Sequence, residues 1–292
     1  MNYRHAFHAG NFADVHKHAV LTRILHYLRE KQAAFRVVDT HAGAGLYDLT
    51  GPEAQRSGEW RDGIARLMPA SLPADAAALI APFREAVAAL NASDQLARYP
   101  GSPALARAFL RPQDRLTACE LEPQAAAALS RNLRGDPRIK TIAIDGWTAL
   151  SAYLPPKERR GLVLVDPPFE DEREFARLAD GLALAHRRWA TGIYMIWYPI
   201  KGRVQPDALA KRLRRFGIAK VLRSELIVAP LSDPSRLNGS GLIVVNPPWT
   251  LEKELAVLLP ALLHMLRRED QTGFKGNYRL DWLAGERTTA GG

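Results

Sequence analysis

The stretch GLVLVDPPFE, residues 161–170, runs a short hydrophobic segment into an acid, two prolines and an aromatic residue. Eighty residues later, GLIVVNPPW at 241–249 repeats the pattern. Proline ends a strand because it has no N–H to give the ladder. Each turn then offers a polar side chain, a freed carbonyl and a ring, which suit an exocyclic amino group. Which turn faces a ligand depends on the direction of the strand before it, and so on the fold.

Outward from these turns, strands and helices alternate. AVLTRILHYL (19–28) has helical spacing at Leu21, Ile24, Leu25 and Leu28, with Asn11 as a candidate N-cap upstream. FRVVDT (35–40) reads as a buried strand followed by the loop His41-Ala-Gly43-Ala-Gly45. SPALARAFL (102–110) opens a helix, with Ser102 as N-cap and Pro103 in the first turn. RLTACE (115–120), IKTIAI (139–144), GLVLV (161–165) and IYMIWYP (193–199) read as strands. Helices at 123–133, 147–154 and 174–190 separate them. PDALAKRLRRFG (206–217) is a basic helix closed by Gly217. KVLRSELIVAP (220–230) and GLIVVNP (241–247) are two more strands, and 251–268 is a long helix.

Such alternation predicts an α/β fold, a mostly parallel sheet with helices on both faces. The last two strands are joined by LSDPSRLNGSG, too short for a crossover helix. They are expected to form an antiparallel hairpin at the sheet edge, giving seven strands with the last antiparallel. Residues 47–100 break the alternation: a turn-rich start, a short helix at WRDGIARLM, and an alanine-rich helix interrupted by Pro82. They are expected to form an inserted helical subdomain, leaving 1–46 and 101–285 as one discontinuous domain. The end of the chain is expected to be irregular, with 286–292 a disordered tail.

Composition narrows the function classes. The chain has 292 residues, 47% of them apolar, enough for a sizeable core. Cys119 is its one cysteine, which excludes an intramolecular disulfide and a cysteine zinc site. No apolar run approaches the ~20 residues of a membrane helix, and the polar N-terminus is no secretory signal. The expectation is a cytoplasmic monomer with no membrane and no obligate protein partner. A net charge of +9 favours an anionic partner such as nucleic acid.

In an open parallel sheet, ligands lie beyond the carboxyl ends of the strands. That rim collects Asp39 and the loop from His41 to Gly45, then Glu120, then Asp145-Gly146, then Asp166-Pro167-Pro168-Phe169. The loop lacks the third glycine of a dinucleotide fingerprint, and no P-loop lysine follows. The set as a whole resembles S-adenosylmethionine-dependent methyltransferases that modify exocyclic amino groups. Glycines let backbone approach a cofactor. A strand-end glutamate can accept from ribose hydroxyls, and the next strand's aspartate from an adenine amino group. Each acid alone also reads as a helix N-cap.

Topology separates the two Pro-Pro turns. Asp166 ends a parallel strand, whereas Asn246 ends an antiparallel one and is expected at the opposite rim, its turn setting Trp249 against the last helix. At the first turn, Asp166 and the Pro167 carbonyl can each accept one N–H of an amino group and align its lone pair. Phe169 offers a stacking face for an extruded base.

Over nearly its whole length the chain resembles the RlmJ-type methyltransferases, which make N6-methyladenine in 23S ribosomal RNA. The resemblance rests on YRHAFHAGNFADVHKH near the N-terminus, DTHAGAG, YPGSP at 99–103, Asp145-Gly146, DPPF and NPPW. It implies a Rossmann-like class I methyltransferase fold with a helical insertion. It also implies S-adenosyl-L-methionine as cofactor, S-adenosyl-L-homocysteine as product, no metal, and 23S ribosomal RNA as partner. The implied cofactor contacts are His18, His41, Ser102, Glu120, Asp145, Gly146 and Asp166, with Lys17, Gly43 and Gly45 beside them. Asp166 is the implied catalytic acceptor. Tyr3 is the implied substrate contact, with Arg4 and His5 next to it. Phe169 stands where the family often has tyrosine.

Other features carry competing readings. His5, His8, His16 and His18 read either as a metal site, for which only Asp14 adds a carboxylate at helical spacing, or, with Lys17, as the lining of a cofactor and RNA entrance. Lys201, Arg203, Lys211, Arg212, Arg214, Arg215, Lys220 and Arg223 face one acid, Asp207, and read as a phosphate track or a solvated face. Trp197 and Tyr198 read as core. A DNA adenine methyltransferase, an RNA guanine-N2 methyltransferase and a catalytically silent RNA-binding protein are the alternatives to an enzyme acting on ribosomal RNA adenine.

Overall fold

A computed structural model describes residues 4–91, 95–171, 173–268 and 273–285. Its elements, in chain order, are α1 (Phe12–Glu30), β1 (Arg36–Asp39), β2 (Leu46–Asp48), α2 (Pro52–Ser57), α3 (Ile64–Leu67), α4 (Ala74–Ala88), β3 (Arg98–Pro100) and α5 (Ser102–Phe109). Then come β4 (Arg115–Glu120), α6 (Pro123–Asn132), β5 (Ile139–Ala143), α7 (Gly146–Ala152), β6 (Gly161–Val165) and α8 (Glu174–Arg188). The chain continues through β7 (Ile193–Ile200), α9 (Val204–Arg215), β8 (Val221–Ile227), β9 (Gly239–Val245), α10 (Leu251–Leu266) and β10 (Asn277–Ala284).

The main sheet has the order β10-β8-β9-β7-β6-β1-β4-β5. The run β7-β6-β1-β4-β5 is parallel. From central β1 the chain winds outward through β4 and β5, then returns to place β6 and β7 on the other side. The order therefore reverses between β1 and β6, where such sheets bind ligands. Strand side chains alternate between two cores. Val37, Leu162, Leu164 and Met195 face α1, α5 and α10, while Val38, Val163, Val165 and Ile196 face α7, α8 and α9. Burial on both faces is why these strands read as continuous apolar runs.

Three expectations change. The hairpin of β8 and β9 exists, but β9 folds back between β7 and β8, antiparallel to both. The sheet has eight strands rather than seven, because the segment expected to be irregular supplies β10 on β8. There Asp281 sits opposite Arg223 and binds it through two oxygens. The tail at 286–292 lies outside the described residues. Finally, Pro82 does not interrupt α4, which runs through it and buries Ala76, Ile80, Phe83 and Val87.

Residues 46–48 and 98–100 pair as a two-stranded ribbon at the base of the intervening helical stretch. Ile64, Leu67, Ile80 and Phe83 from that stretch share one core with α1 and α10.

Candidate active site

Four neighbouring strands end in acids at one rim, and the rim encloses a cavity of about 600 Å³, in the usual range for ligand sites. Arg4, His5, Lys17, His18, His41 and Gly43 line it from the N-terminal third of the chain. Ser102, Glu120, Asp145, Gly146 and Asp166 line it from the later strand ends. Gly45, Pro167 and Phe169 are not among the lining residues. Gly45 (φ +76°) turns the loop over Leu129, and Pro168 reaches the cavity in place of Pro167. Tyr3 lies outside the described residues.

Glu120 builds the loop it faces. Its Oε2 accepts from the Gly43 N–H at 2.8 Å, and its Oε1 from the N–H groups of Leu121 and Glu122. Gly43 is in the left-handed region, and a Cβ there would meet the Tyr47 hydroxyl at 2.2 Å. Asp145 caps α7 by accepting from Thr148 N–H, so the cap reading and the cavity position hold together. A Cβ on Gly146 would strike the Thr40 carbonyl and the His41 ring within 2.6 Å. Ser102 departs from expectation. Gly101 is the N-cap of α5, and the Ser102 hydroxyl donates to Asp39 at 2.6 Å. Burial pushes the Asp39 carboxyl up to about 7, with Ser102 opposing and nearby Asp166 adding to the rise.

Lys17 joins α1 to the Asp-Pro-Pro turn. Asn11 caps α1 through Asp14 N–H, as the sequence suggested. One turn on, Lys17 Nζ lies 2.7 Å from Asp14 Oδ1 and 2.5 Å from Asp166 Oδ2, nearly shielded from solvent. Burial alone would lower the ammonium; the two carboxylates outweigh it and raise its pKa. Asp14, though buried, is held well below the usual carboxylate range by Lys17 and His5. With Oδ2 engaged, Asp166 keeps Oδ1 for another donor.

The histidines do not act as one group. His5 contacts Asp14 at 3.1 Å and lines the cavity. His8 contacts Glu59. His16 is a correction: it is fully buried between the hydroxyls of Ser224 and Ser240, away from the cavity. His18 stacks on Tyr99, with Nδ1 2.6 Å from its hydroxyl, and its Nε2 is buried without a partner. Desolvation drives His16 and His18 down to about 3 and His41 to about 4. No cluster of three metal-ligating side chains occurs among the described residues.

The two Pro-Pro turns differ in shape as well as place. In the first, Phe169 takes positive φ (51°), with its ring 4.8 Å from Phe175 and edge-on to Trp197 at 5.7 Å. In the second, Asn246 takes positive φ (50°), and its amide donates to the carbonyls of Ala190 and Gly192, at the start of β7. That is the rim opposite the cavity. Trp249 does not pack on the last helix as expected; it is 75% exposed.

Sequence patterns missed several lining groups. Glu174 and Arg177, one turn apart on α8, pair with each other, and Glu174 Oε2 is buried without a partner. Arg177 also lies over the Trp147 ring. An acid at the first position of a helix reads as dipole compensation, so nothing in the sequence marked Glu174. Of the basic 201–223 segment, Arg203 is held by Glu225 and Asp207, Arg212 by Asp180 and Arg223 by Asp281. These three are therefore not free to track phosphates. Trp197 is half-buried beside Lys17, and Tyr198 is buried with its hydroxyl on Glu225.

A sheet of this order, with a glycine loop and the strand-end acids Glu120, Asp145 and Asp166 around one cavity, is the class I S-adenosylmethionine-dependent methyltransferase fold. A family model described as "Ribosomal RNA large subunit methyltransferase D, RlmJ" matches residues 32–284. The ribosomal RNA large subunit methyltransferase J of Escherichia coli is 44% identical, over 90% of this chain and 92% of that protein. The Haemophilus influenzae protein of the same name is 40% identical, over 98% and 100%. A crystal structure of a Legionella pneumophila protein is 32% identical and superposes with a TM-score of 0.84, covering 94% of this chain and 98% of that one. The chain belongs to the RlmJ family of large-subunit ribosomal RNA methyltransferases.

Proposed function

We propose that this protein transfers a methyl group from S-adenosyl-L-methionine to the exocyclic N6 of an adenine in large-subunit 23S ribosomal RNA. The observation that carries this is that Asp166 and Pro168 of the Asp-Pro-Pro turn line the same cavity as Gly43, Glu120 and Asp145. The Escherichia coli and Haemophilus influenzae relatives are named as large-subunit ribosomal RNA methyltransferases.

The residues present fit the cofactor. Glu120 has lone pairs left for ribose hydroxyls, and Asp145 with Gly146 faces the base. The unpartnered His18 Nε2 and Glu174 Oε2 are polar atoms that a bound ligand would satisfy. When bound, the cofactor supplies an electrophilic methyl group on a sulfonium. Everything else falls to the chain. Lys17 fixes the Asp166 carboxylate by its Oδ2, so that Oδ1 and the Pro167 carbonyl can take the two N–H bonds of the target amino group. That grip localises on nitrogen the lone pair otherwise delocalised into the ring and aligns it for in-line attack. Asp166 accepts the proton released. Phe169, braced by Phe175 and Trp197, presents its remaining face to the base.

The test is to incubate the protein with methyl-labelled S-adenosylmethionine and unmodified large-subunit RNA, with duplex DNA in parallel, and to identify the labelled nucleoside by mass spectrometry. N6-methyladenosine from RNA alone is expected. Label in DNA or in guanosine would overturn the substrate assignment.

A further inference from the structure

The rim that carries the cavity continues past the start of α1, and there it turns basic. Three separate segments meet. Arg66 comes from α3, Arg236 from the loop after β8, and Arg267 and Arg268 from the end of α10. The junction is built rather than incidental. The Arg268 N–H donates to the Val228 carbonyl at 2.9 Å, and its guanidinium lies over the Phe12 ring at 5.8 Å. Arg66 donates to the Arg267 carbonyl at 3.1 Å.

The charges are only partly offset, by Asp62 and Glu59 facing Arg268 and by Asp233 near Arg236. Arg66 pairs with Asp62. The Arg236 and Arg268 side chains have neither hydrogen bond nor ion pair among the described residues, and Arg236 is exposed. Arg268 is pushed below its ordinary pKa by burial and then by Arg236, against the opposing pull of Asp62 and Glu59, although an arginine stays charged in water. Like charges gathered on a fixed surface favour an anion that relieves their repulsion. Among the described residues the patch holds no exposed large apolar side chain, which favours an anion over an apolar protein face. A guanidinium fork matches phosphate oxygens.

The patch is also continuous with the cavity. Phe12 begins α1, whose Lys17 holds Asp166. Glu59, which faces Arg268, binds His8 and Asn11, and the turn before His8 carries His5 into the cavity. Resting on the function proposed above, we infer that Arg236 and Arg268 bind the phosphates of the RNA strand flanking the target base and lead it to the Asp166 turn, with Arg66 held beside them by Asp62.

The test uses the full chain with Arg236→Gln and Arg236→Glu, and an unmodified large-subunit RNA transcript. KM and kcat are measured across a salt series, with binding of S-adenosylhomocysteine as a control. Loss of one phosphate contact lowers the log–log salt slope by about 1 and, at moderate salt, raises KM by roughly three- to tenfold. Arg236→Gln is expected to do this with kcat within about twofold and cofactor-product binding unchanged, and Arg236→Glu to do more. An unchanged KM and salt slope in both Arg236 variants would overturn the inference. So would a fall in kcat at constant KM. A wild-type protein that methylates no RNA would refute the function itself, and that result is read before any variant is compared.

Discussion

Removing the Lys17 charge tests the centre of the site most directly. Its ammonium sits 2.7 Å from Asp14 and 2.5 Å from Asp166, with side-chain exposures of 5%, 2% and 13%. In Lys17→Met, two carboxylates face each other with no cation between them. Breaking a buried pair by removing one partner costs about 3–5 kcal/mol, because the charge left behind is uncompensated. For a chain of this size, that lowers the melting temperature by roughly 10 °C. Asp14→Asn carries a similar cost in reverse, since Lys17 then loses its more buried partner. The double variant leaves neither charge of that pair, so its cost should fall short of the summed singles by at least about 2 kcal/mol. Chemical denaturation of the four proteins at pH 7 measures the cycle. Additivity within about 0.5 kcal/mol would refute the claim that Lys17 and Asp14 neutralise one another. Methyl transfer should fall at least about a hundredfold in Lys17→Met, because Asp166 loses the group that orients it.

Three further outcomes follow from the same geometry. Asp166→Ala should abolish methyl transfer with S-adenosylhomocysteine binding held within about tenfold, whereas Asn246→Ala should leave kcat nearly unchanged. Asn246→Ala should nevertheless lose about 1–3 kcal/mol in denaturation, since it removes two hydrogen bonds and leaves alanine at positive φ; a large loss of activity would sink the assignment of the two turns. Gly146→Ala should weaken cofactor-product binding at least tenfold by calorimetry, because the added carbon meets the Thr40 carbonyl at 2.4 Å and the His41 ring at 2.6 Å, and unchanged binding would refute the role given to this close approach. Stability should fall on acidification from about pH 6.5 toward 3. His16 and His18 have folded pKa values depressed to about 3, so below 6.5 the unfolded chain binds more protons than the folded one, and each histidine contributes a slope approaching 1.4 kcal/mol per pH unit. Asp39, raised to about 7, acts oppositely between pH 4 and 7, so His16→Gln should flatten the acid limb measured by urea unfolding.

Much of the fold was legible because the central strands are buried on both faces. An apolar run that stops at an acid marks both a strand and the rim at which it ends, and so Asp39, Glu120, Asp145 and Asp166 were found together. Asn11 was legible because a cap is a local event three residues long. What was missed depends on distant partners. Ser102 looks like a cap, but its hydroxyl is used by Asp39, 63 residues away in sequence. Strand β10 is an edge strand whose charged residues hide its alternation, and Asp281 makes sense only opposite Arg223. Pro82 reads as a break, yet burial of Phe83 and its neighbours against α1 and α10 carries the helix through. Glu174 reads as a dipole-compensating acid, and only the folded cavity shows its second oxygen without a partner. Trp249 reads as a packing residue by its bulk, yet it stands largely in solvent.

The lone thiol has a use that catalysis does not touch. Cys119 lies fully buried on β4, one residue before Glu120, and burial pushes its pKa up to about 12. A thiol reagent needs both access and thiolate, so it meets nothing reactive until β4 parts from its neighbours. With one cysteine in 292 residues, the labelling rate counts openings of a single place in the sheet. That place is the strand that positions Glu120 and, through it, the Gly43 loop. Any ligand held by this rim should therefore slow the label in proportion to its affinity, which lets a mass spectrometer rank cofactor and analogue binding without RNA and without turnover.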